Sequence, residues 1–252
     1  MKLHLENKTA LVTGATSGIG RGIAVALAAE GVRLAIAGRR REGLDETAQA
    51  VVAAGGAMPA IVLGDVTTKS GPQGIADAAF AAFGNRVDIL VNNAGASRPL
   101  TDMADDAAWD ESMALNFASV RRLTDRLVPP MKAAKWGRII NLTGALMAPG
   151  LNASGAAKSA LNSWSRTLAI QLAPHGITVN AIAPGRINSE QIRNNLHPTD
   201  ASRDDFIAKH IPMGHFGEPE DLAALVVFLS SPQARYISGA AIPVDGAMLR
   251  IT

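Results

Sequence analysis

The sequence predicts a single doubly wound α/β domain, in which a mostly parallel seven-stranded sheet is flanked by helices. The first observation behind this prediction is the alternation of short β-branched or leucine-rich runs with longer alanine-rich stretches, which is typical of a parallel sheet covered on both faces. The second is the length, because 252 residues suit one α/β domain and no repeat or low-complexity linker divides the chain.

The boundaries of the elements follow from these runs. Seven strands are predicted at 9–13, 33–37, 60–63, 89–92, 138–142, 178–182 and 241–244. Six helices are predicted at 19–30, 42–54, 74–83, 106–134, 153–173 and 219–230. The stretch 186–215 follows the sixth strand and has no clean period, so we expect a loop that covers the carboxyl edge of the sheet.

The composition excludes several functional classes. Hydrophobic residues make up 48% of the chain, but their runs are too short to span a membrane. The sequence has no cysteine, so it offers neither disulfides nor thiolate chemistry. A net charge of +2 from scattered residues does not favour a nucleic-acid partner, and the five histidines lack the spacing of metal ligands. Residues 1–8 do not read as a secretory leader, so a cytoplasmic location is expected.

A glycine-rich turn follows the first predicted strand and opens the first helix. Residues 13–20 read Thr-Gly-Ala-Thr-Ser-Gly-Ile-Gly. Glycines let the backbone turn sharply and approach a diphosphate, whose charge is met by the positive end of the helix dipole. An ordinary strand-to-helix turn is the alternative, but the flanking strand and helix favour a Rossmann-type dinucleotide site.

Motifs along the rest of the chain resemble those of the short-chain dehydrogenase/reductase family. The turn has the family's GxxxGxG spacing after a threonine. It is followed, in the family's order, by Asp65-Val66, Asn-Asn-Ala-Gly at 92–95, Asn116, Ser-Gly-Ala-Ala-Lys at 154–158 and Asn-Ala-Ile-Ala-Pro-Gly at 180–185. Because these motifs occur together and in register, the resemblance is specific and covers the whole chain.

The resemblance implies a nicotinamide dinucleotide, and the end of the second strand indicates which one. NAD-type folds place an acid there to bind ribose hydroxyls, whereas this chain has Arg39, whose guanidinium can pair with a 2′-phosphate. We therefore predict NADP(H); the alternatives are a merely solvated turn at 39–41 and the use of NAD. The predicted cofactor-binding residues are Gly14, Thr16, Ser17, Gly18, Ile19, Gly20, Arg39, Asp65, Val66, Asn92, Ala94, Gly95, Lys158, Pro184, Gly185, Ile187 and Ser189.

The reaction centre departs from the family pattern. The family has a tyrosine four residues before its lysine as general acid or base, but Ser154 stands there in this chain. The only tyrosine, Tyr236, lies in a C-terminal stretch that resembles a structural segment of the family. Gly144 aligns with the family's serine, with Thr143 beside it. The predicted catalytic residues are Lys158, Asn116, Ser154 and Thr143.

Loss of the phenol affects the chemistry. An aliphatic hydroxyl is a far weaker acid, and general acid–base catalysis contributes roughly 10²- to 10⁴-fold in rate. Three hypotheses follow: a water held by Ser154, Lys158 and Asn116 relays the proton, the substrate is an imine that needs little help, or the protein only binds. Structural roles are the alternative: backbone-bonded hydroxyls for Ser154 and Thr143, a cap or kink for Asn116 and a surface position for Lys158.

Two further expectations concern the covering loop and the assembly. The loop 186–215 is predicted to cover the substrate, and His197, His210 and His215 lie in it, either as proton donors or as solvated loop residues. The alanine-rich face of the helix 153–173 resembles the helices through which similar proteins form tetramers, with burial inside the monomer as the alternative.

The sequence thus predicts an NADP(H)-dependent oxidoreductase, and a homotetramer, that transfers hydride to or from a small carbonyl, alcohol or imine substrate. The rival hypothesis is a non-catalytic NADP(H)-binding protein, such as a redox sensor or a structural subunit. A methyltransferase is disfavoured, because no acid ends the second strand to hold a ribose.

Overall fold

One parallel sheet forms the centre of the protein. The computed structural model describes residues 1–100, 105–144, 151–190 and 192–248. The strands are β1 (Thr9–Thr13), β2 (Arg33–Gly38), β3 (Ala60–Leu63), β4 (Ile89–Asn92), β5 (Gly137–Leu142), β6 (Ile177–Pro184) and β7 (Ala241–Val244). Their order is β3-β2-β1-β4-β5-β6-β7, and every pairing is parallel. The predicted doubly wound, seven-stranded fold is confirmed.

Helices cover both faces of this sheet. They are α1 (Gly18–Ala29), α2 (Arg41–Ala53), α3 (Gly71–Phe83), α4 (Asp106–Met113), α5 (Ser119–Ala134), α6 (Ala153–Leu172), α7 (Asp200–His210) and α8 (Pro219–Ser230). Because successive strand residues point to opposite faces, Val12 packs with α1, α2 and α8, whereas Leu11 packs with α3, α5 and α6. Within the described ranges, no helix combines the length and the apolarity that a membrane crossing requires.

The predicted helix at 106–134 is helical throughout, but it is not α-helical along its whole length. Five residues, Ala114–Ala118, form a π-helical turn between α4 and α5. Inside it, the Asn116 side-chain amide donates to the Ser112 carbonyl at 3.1 Å, and its Oδ1 accepts the backbone N–H of Ala96 at 3.1 Å. Asn116 therefore lies at an irregularity in the middle of the helical region and ties it to the loop after β4.

The region 186–215 contains regular structure that its sequence pattern did not predict. A π-helical turn, Ile192–Leu196, precedes α7, and the Thr199 hydroxyl oxygen caps α7 by accepting the N–H of Ser202 at 3.2 Å. No residue of α7 is fully buried, so its sequence lacks the periodic pattern of apolar residues that predicts a helix. A small apolar cluster of Ile192, Ile211 and Phe216 packs under this region.

Candidate active site

A cavity of about 650 Å³ lies beside the carboxyl ends of the central strands. The strand order reverses between β1 and β4, and ligands of open α/β sheets bind in the crevice at such a reversal. The predicted residues that line it are Gly14, Thr16, Ser17, Gly18, Ile19, Gly20, Arg39, Asp65, Val66, Ala94, Gly95, Thr143, Lys158, Pro184 and Ser189. One space thus collects residues from most of the sequence motifs.

The glycine-rich turn is packed too closely for larger residues. Gly14 has a φ of +66°, and a Cβ atom on Gly20 would lie 2.3 Å from the Gly14 carbonyl oxygen. The Thr13 hydroxyl oxygen accepts the backbone N–H groups of Asn93 and Ala94 at 3.1 Å each, which fixes the turn against the loop after β4. The glycines therefore bring backbone, without side chains, to the cavity wall.

The first turn of α1 presents unpaired backbone donors to the cavity. The first N–H groups of any helix lack partners within it, and the N-cap residue Ser17 makes no side-chain capping bond. This first turn carries no acidic residue, so the positive end of the helix dipole is not compensated locally. The arrangement suits an anionic group such as a diphosphate.

Arg39 lines the cavity from a position directly after β2. Its Nη1 lies 3.8 Å from Oδ2 of Asp65, and 74% of its side chain is exposed. Asp65 is held mainly by Thr67, because the backbone N–H and the hydroxyl of Thr67 donate to its Oδ1 at 2.9 and 2.8 Å. These hydrogen bonds, with a smaller effect of Arg39, hold the pKa of Asp65 below its usual value. Arg39 is thus a loosely held cation that a ligand can recruit.

Lys158 projects from α6 toward the end of β5. Within the described part of the chain its ammonium group has neither a hydrogen bond nor an ion pair, and burial lowers its pKa to about 8. A Cβ atom on Gly144 would lie 3.0 Å from the Lys158 Cδ and 3.3 Å from its Nζ. Because Gly144 has no side chain, the Lys158 side chain can lie against it without a close contact.

The other predicted catalytic groups bond to the protein. The Ser154 hydroxyl donates to Oδ1 of Asn152 at 2.7 Å, and the Thr143 hydroxyl donates to the Ile182 carbonyl at 3.0 Å. Neither Ser154 nor Asn116 is among the described residues that line the cavity, whereas Thr143 is. The structural roles weighed for Ser154, Thr143 and Asn116 agree with these contacts.

Three predicted cofactor residues, Asn92, Gly185 and Ile187, also lie outside the described lining of the cavity. The Asn92 amide is buried and donates to Asn141 Oδ1 at 2.8 Å and to the Thr124 hydroxyl at 3.2 Å. Gly185 packs on Asp245, where a Cβ atom would come within 2.7 Å of backbone, and buried Ile187 forms a β-bridge with Gly217. These three residues therefore pack behind the described cavity lining and do not line the cavity themselves.

An ion pair at the cavity was not predicted. Arg98 donates from Nε and Nη2 to the two carboxylate oxygens of Glu111 at 2.9 and 2.6 Å, and both residues line the cavity. This bidentate contact lowers the pKa of Glu111 and raises that of Arg98. The position of Arg98, three residues after the motif at 92–95, could have indicated that it lies at the site. The local sequence does not show that its partner is an acidic residue on α4.

The histidines of region 186–215 do not line the described cavity. Arg186 donates from Nε to His197 Nε2 at 3.2 Å, and the His197 ring contacts the rings of Phe206 and Phe216 at 4.6 and 5.6 Å. Burial first, and then the Arg186 charge, lower the pKa of His197. His197 therefore serves here as a neutral hydrogen-bond acceptor. No group of three possible metal ligands occurs among the described residues.

The doubly wound sheet and its crevice define a Rossmann-type α/β protein. A family model described as "Enoyl-(Acyl carrier protein) reductase" matches residues 14–248. The 3-oxoacyl-(acyl-carrier-protein) reductase FabG of Staphylococcus epidermidis is 37% identical over 252 residues, covering 96% of this chain and 99% of that protein. The chain therefore belongs to the short-chain dehydrogenase/reductase family of oxidoreductases.

Solved structures agree with this assignment. L-sorbose reductase from Gluconobacter frateurii, complexed with NADPH and L-sorbose, has a TM-score of 0.91 and 32% identity, with full coverage of both chains at 100%. The RhlG/NADP active-site complex of Pseudomonas aeruginosa has a TM-score of 0.89 and 33% identity, covering 98% of this chain and 99% of that one. The resemblance seen in the motifs is thus confirmed at the level of the family.

Proposed function

We propose that the protein is an NADP(H)-dependent oxidoreductase that transfers hydride to or from a small carbonyl, alcohol or imine substrate. The observation that carries this proposal is that one cavity is lined by both the glycine-rich turn and Lys158, whose amine has no partner among the residues that the structure describes. Support comes from relatives that are reductases and from similar structures that contain NADPH or NADP.

The lining residues fit a dinucleotide with a 2′-phosphate. The first-turn amides of α1 are placed for the diphosphate, and Arg39 is placed for the additional phosphate. Gly38, the residue before Arg39, has no room for an acidic side chain, because a Cβ atom there would lie 2.6 Å from the Thr16 Cγ2. A carboxylate that would repel the 2′-phosphate is therefore absent at the place where NAD-type folds have one.

When NADP(H) is bound, its nicotinamide supplies or accepts the hydride. The Lys158 amine then binds ribose hydroxyls and holds the reacting end in place. Ile19, Leu142 and Pro184 give that end an apolar wall, which limits water. Positioning of this kind contributes to the rate even where acid–base assistance is weak.

The atypical reaction centre, the covering region and the assembly belong to the same proposal. Ser154 stands where the family's tyrosine is expected, so the reaction runs without a phenol. The region 186–215 covers the substrate, held by the contacts of His197 with Arg186 and Phe206. The exposed face of α6, on which Ile170 is 73% exposed, packs against a second copy within a homotetramer.

A non-catalytic NADP(H)-binding protein is the second candidate. The observation that favours it is that the hydroxyl hydrogens of Ser154 and Thr143 are both donated within the protein, to Asn152 and Ile182. The named activities of the relatives favour the enzyme instead.

Activity screening tests the proposal. The purified protein and its Ser154→Tyr variant are assayed with NADPH against carbonyl and imine panels, and with NADP⁺ against alcohols. We expect wild-type turnover on at least one compound class, and a gain for Ser154→Tyr on ordinary ketones would show that the rest of the site is intact. Tight NADPH binding without wild-type turnover on any panel would favour the second candidate.

A further inference from the structure

We infer that the Lys158 ammonium itself delivers the proton to the reacting oxygen or nitrogen of the substrate, in the place of the missing tyrosine. This inference rests on the proposed reductase function. It assigns Lys158 a direct catalytic role in addition to holding the ribose, and it leaves the hydroxyls of Ser154 and Thr143 as structural groups.

The Lys158 amine lies next to the residues that follow β5. Gly144 follows β5 by two residues, and a Cβ atom on it would crowd the Lys158 side chain, at 3.0 Å from Cδ and 3.3 Å from Nζ. No described residue accepts a hydrogen bond from the amine. Its N–H groups are therefore free to contact a substrate at the end of β5.

The hydroxyl groups of Ser154 and Thr143 already donate their hydrogens within the protein. A hydroxyl has one hydrogen to donate, and Ser154 gives it to Asn152 at 2.7 Å while Thr143 gives it to Ile182 at 3.0 Å. Asn116, which would help to hold a relay water, instead bonds to Ser112 and Ala96. A relay in which Ser154 or Thr143 passes on its own hydrogen would have to break one of these hydrogen bonds first.

The other charged side chains of the described cavity leave the Lys158 amine without a counter-ion. The charged side chains that line the described cavity are Arg39, Arg40, Asp65, Arg98, Glu111 and Glu190. They pair with each other: Arg39 with Asp65, Arg40 with Glu190 and Arg98 with Glu111. The ends of β5 and β6 and the residue after β5 line the same cavity with Leu142, Pro184 and Thr143, which carry no charge. Burial alone thus lowers the pKa of Lys158 to about 8, which keeps it protonated at neutral pH yet able to give up its proton.

The step balances in atoms and charge. A hydride from the reduced nicotinamide adds to the carbonyl carbon, and the C=O π electron pair moves to oxygen and takes a proton from the Lys158 ammonium. The alcohol is formed, the nicotinamide is oxidised, and Lys158 is left as a neutral amine that regains a proton from solvent. One proton is consumed for each hydride transferred.

The rate of reduction should fall as the pH rises through the pKa of Lys158. Because only the ammonium form donates, kcat for reduction is constant below the Lys158 pKa of about 8 and falls tenfold per pH unit above it. Oxidation of the alcohol needs the neutral amine as base, so kcat for oxidation rises with pH up to the Lys158 pKa and is constant above it. A rate of reduction that is unchanged well above that pKa would overturn the inference.

Two substitutions at the lysine separate donation from binding. Lys158→Arg keeps the positive charge, but a guanidinium does not release its proton in this pH range. We expect kcat to fall about 10²- to 10⁴-fold, with NADPH binding by calorimetry largely retained. Lys158→Met, which has a similar length and no charge, serves as the second variant should the arginine not fit. Wild-type kcat with an unchanged pH profile in either folded variant contradicts the inference.

Gly144→Ser distinguishes lysine donation from a serine-assisted reaction. A side chain at residue 144 needs the space of the lysine, so the amine should move and kcat should fall. If the protein instead uses its hydroxyls as the family does, the added serine should raise kcat, and this result would overturn the inference.

A readout without turnover completes the test. The rate at which acetic anhydride modifies Lys158 in the nucleotide-free protein is followed by peptide mass spectrometry across pH, with exposed Lys69 as the internal reference. We expect a midpoint near 8 for Lys158, shifted in Gly144→Ser. If the modification rate of Lys158 instead has its midpoint at the ordinary lysine pKa of about 10.4, the inference is wrong. Wild-type inactivity on every panel removes the proposed function as well, whereas turnover that ignores Lys158 removes the inference alone.

Discussion

Replacement of Arg39 by alanine should change nucleotide preference rather than stability. The Arg39 guanidinium is 74% exposed and lies 3.8 Å from the Asp65 carboxylate, so its loss should cost at most about 1 kcal/mol of folding free energy. A hydrogen bond to a charged group contributes about 1.5–3 kcal/mol. At 1.4 kcal/mol per factor of ten, NADPH affinity should therefore fall by roughly 10- to 150-fold.

Calorimetric titration of NADPH and NADH measures this effect. NADH has no 2′-phosphate, so its affinity should be nearly the same in the wild type and in Arg39→Ala. Arg41→Ala is the matched control, because Arg41 belongs to the same charged run but donates to Asp45 at 2.9 Å and is not among the described cavity residues. Equal weakening of NADPH and NADH, or unchanged NADPH affinity, would refute the assignment of Arg39 to the 2′-phosphate.

Three further predictions concern the turn, the core and the assembly. Gly20→Ala places a Cβ atom 2.3 Å from the Gly14 carbonyl oxygen, so it should lower the free energy of unfolding in urea by about 1–3 kcal/mol and abolish NADPH binding. Gly74→Ala is the control: a Cβ atom there meets nothing within 4 Å, so this variant should stabilise α3 by about 0.5–1 kcal/mol and leave NADPH binding intact. Asn141→Leu leaves the buried Asn92 amide without its 2.8 Å acceptor and should cost about 1–3 kcal/mol; an unchanged urea midpoint would contradict this reading. Light scattering should give four times the 26.1 kDa chain mass, and a monomer mass would exclude the tetramer.

The fold could be predicted from the sequence because its central strands, β1, β4 and β5, are buried along their whole length. The run at 9–13 is buried throughout and ends at a glycine, so strand and turn could be placed to the residue. The helix α7 gave no comparable signal, because none of its residues is buried. Its cap was readable all the same: Thr199 precedes Asp200, and the last turn ends with Lys209 and His210. Apolar periodicity therefore fails for a solvated helix, and capping residues are the better indicator.

The site was accessible from sequence in position but not in side-chain contacts. The motifs located most of the cavity wall, yet the direction of the Asn92 amide depends on Asn141, 49 residues further along the chain. The contact between Gly144 and Lys158 likewise depends on how β5 and α6 approach each other. Such long-range packing decides which polar groups face a ligand and which bond within the protein, and no local pattern records it.

A crystal structure grown with NADP⁺ tests the central claim most directly. We predict density for the dinucleotide in the crevice, with diphosphate oxygens about 3 Å from the first backbone N–H groups of α1 and the 2′-phosphate against the Arg39 guanidinium. A crevice that stays empty although the lattice leaves it open, or a nucleotide bound elsewhere on the protein, would contradict the account.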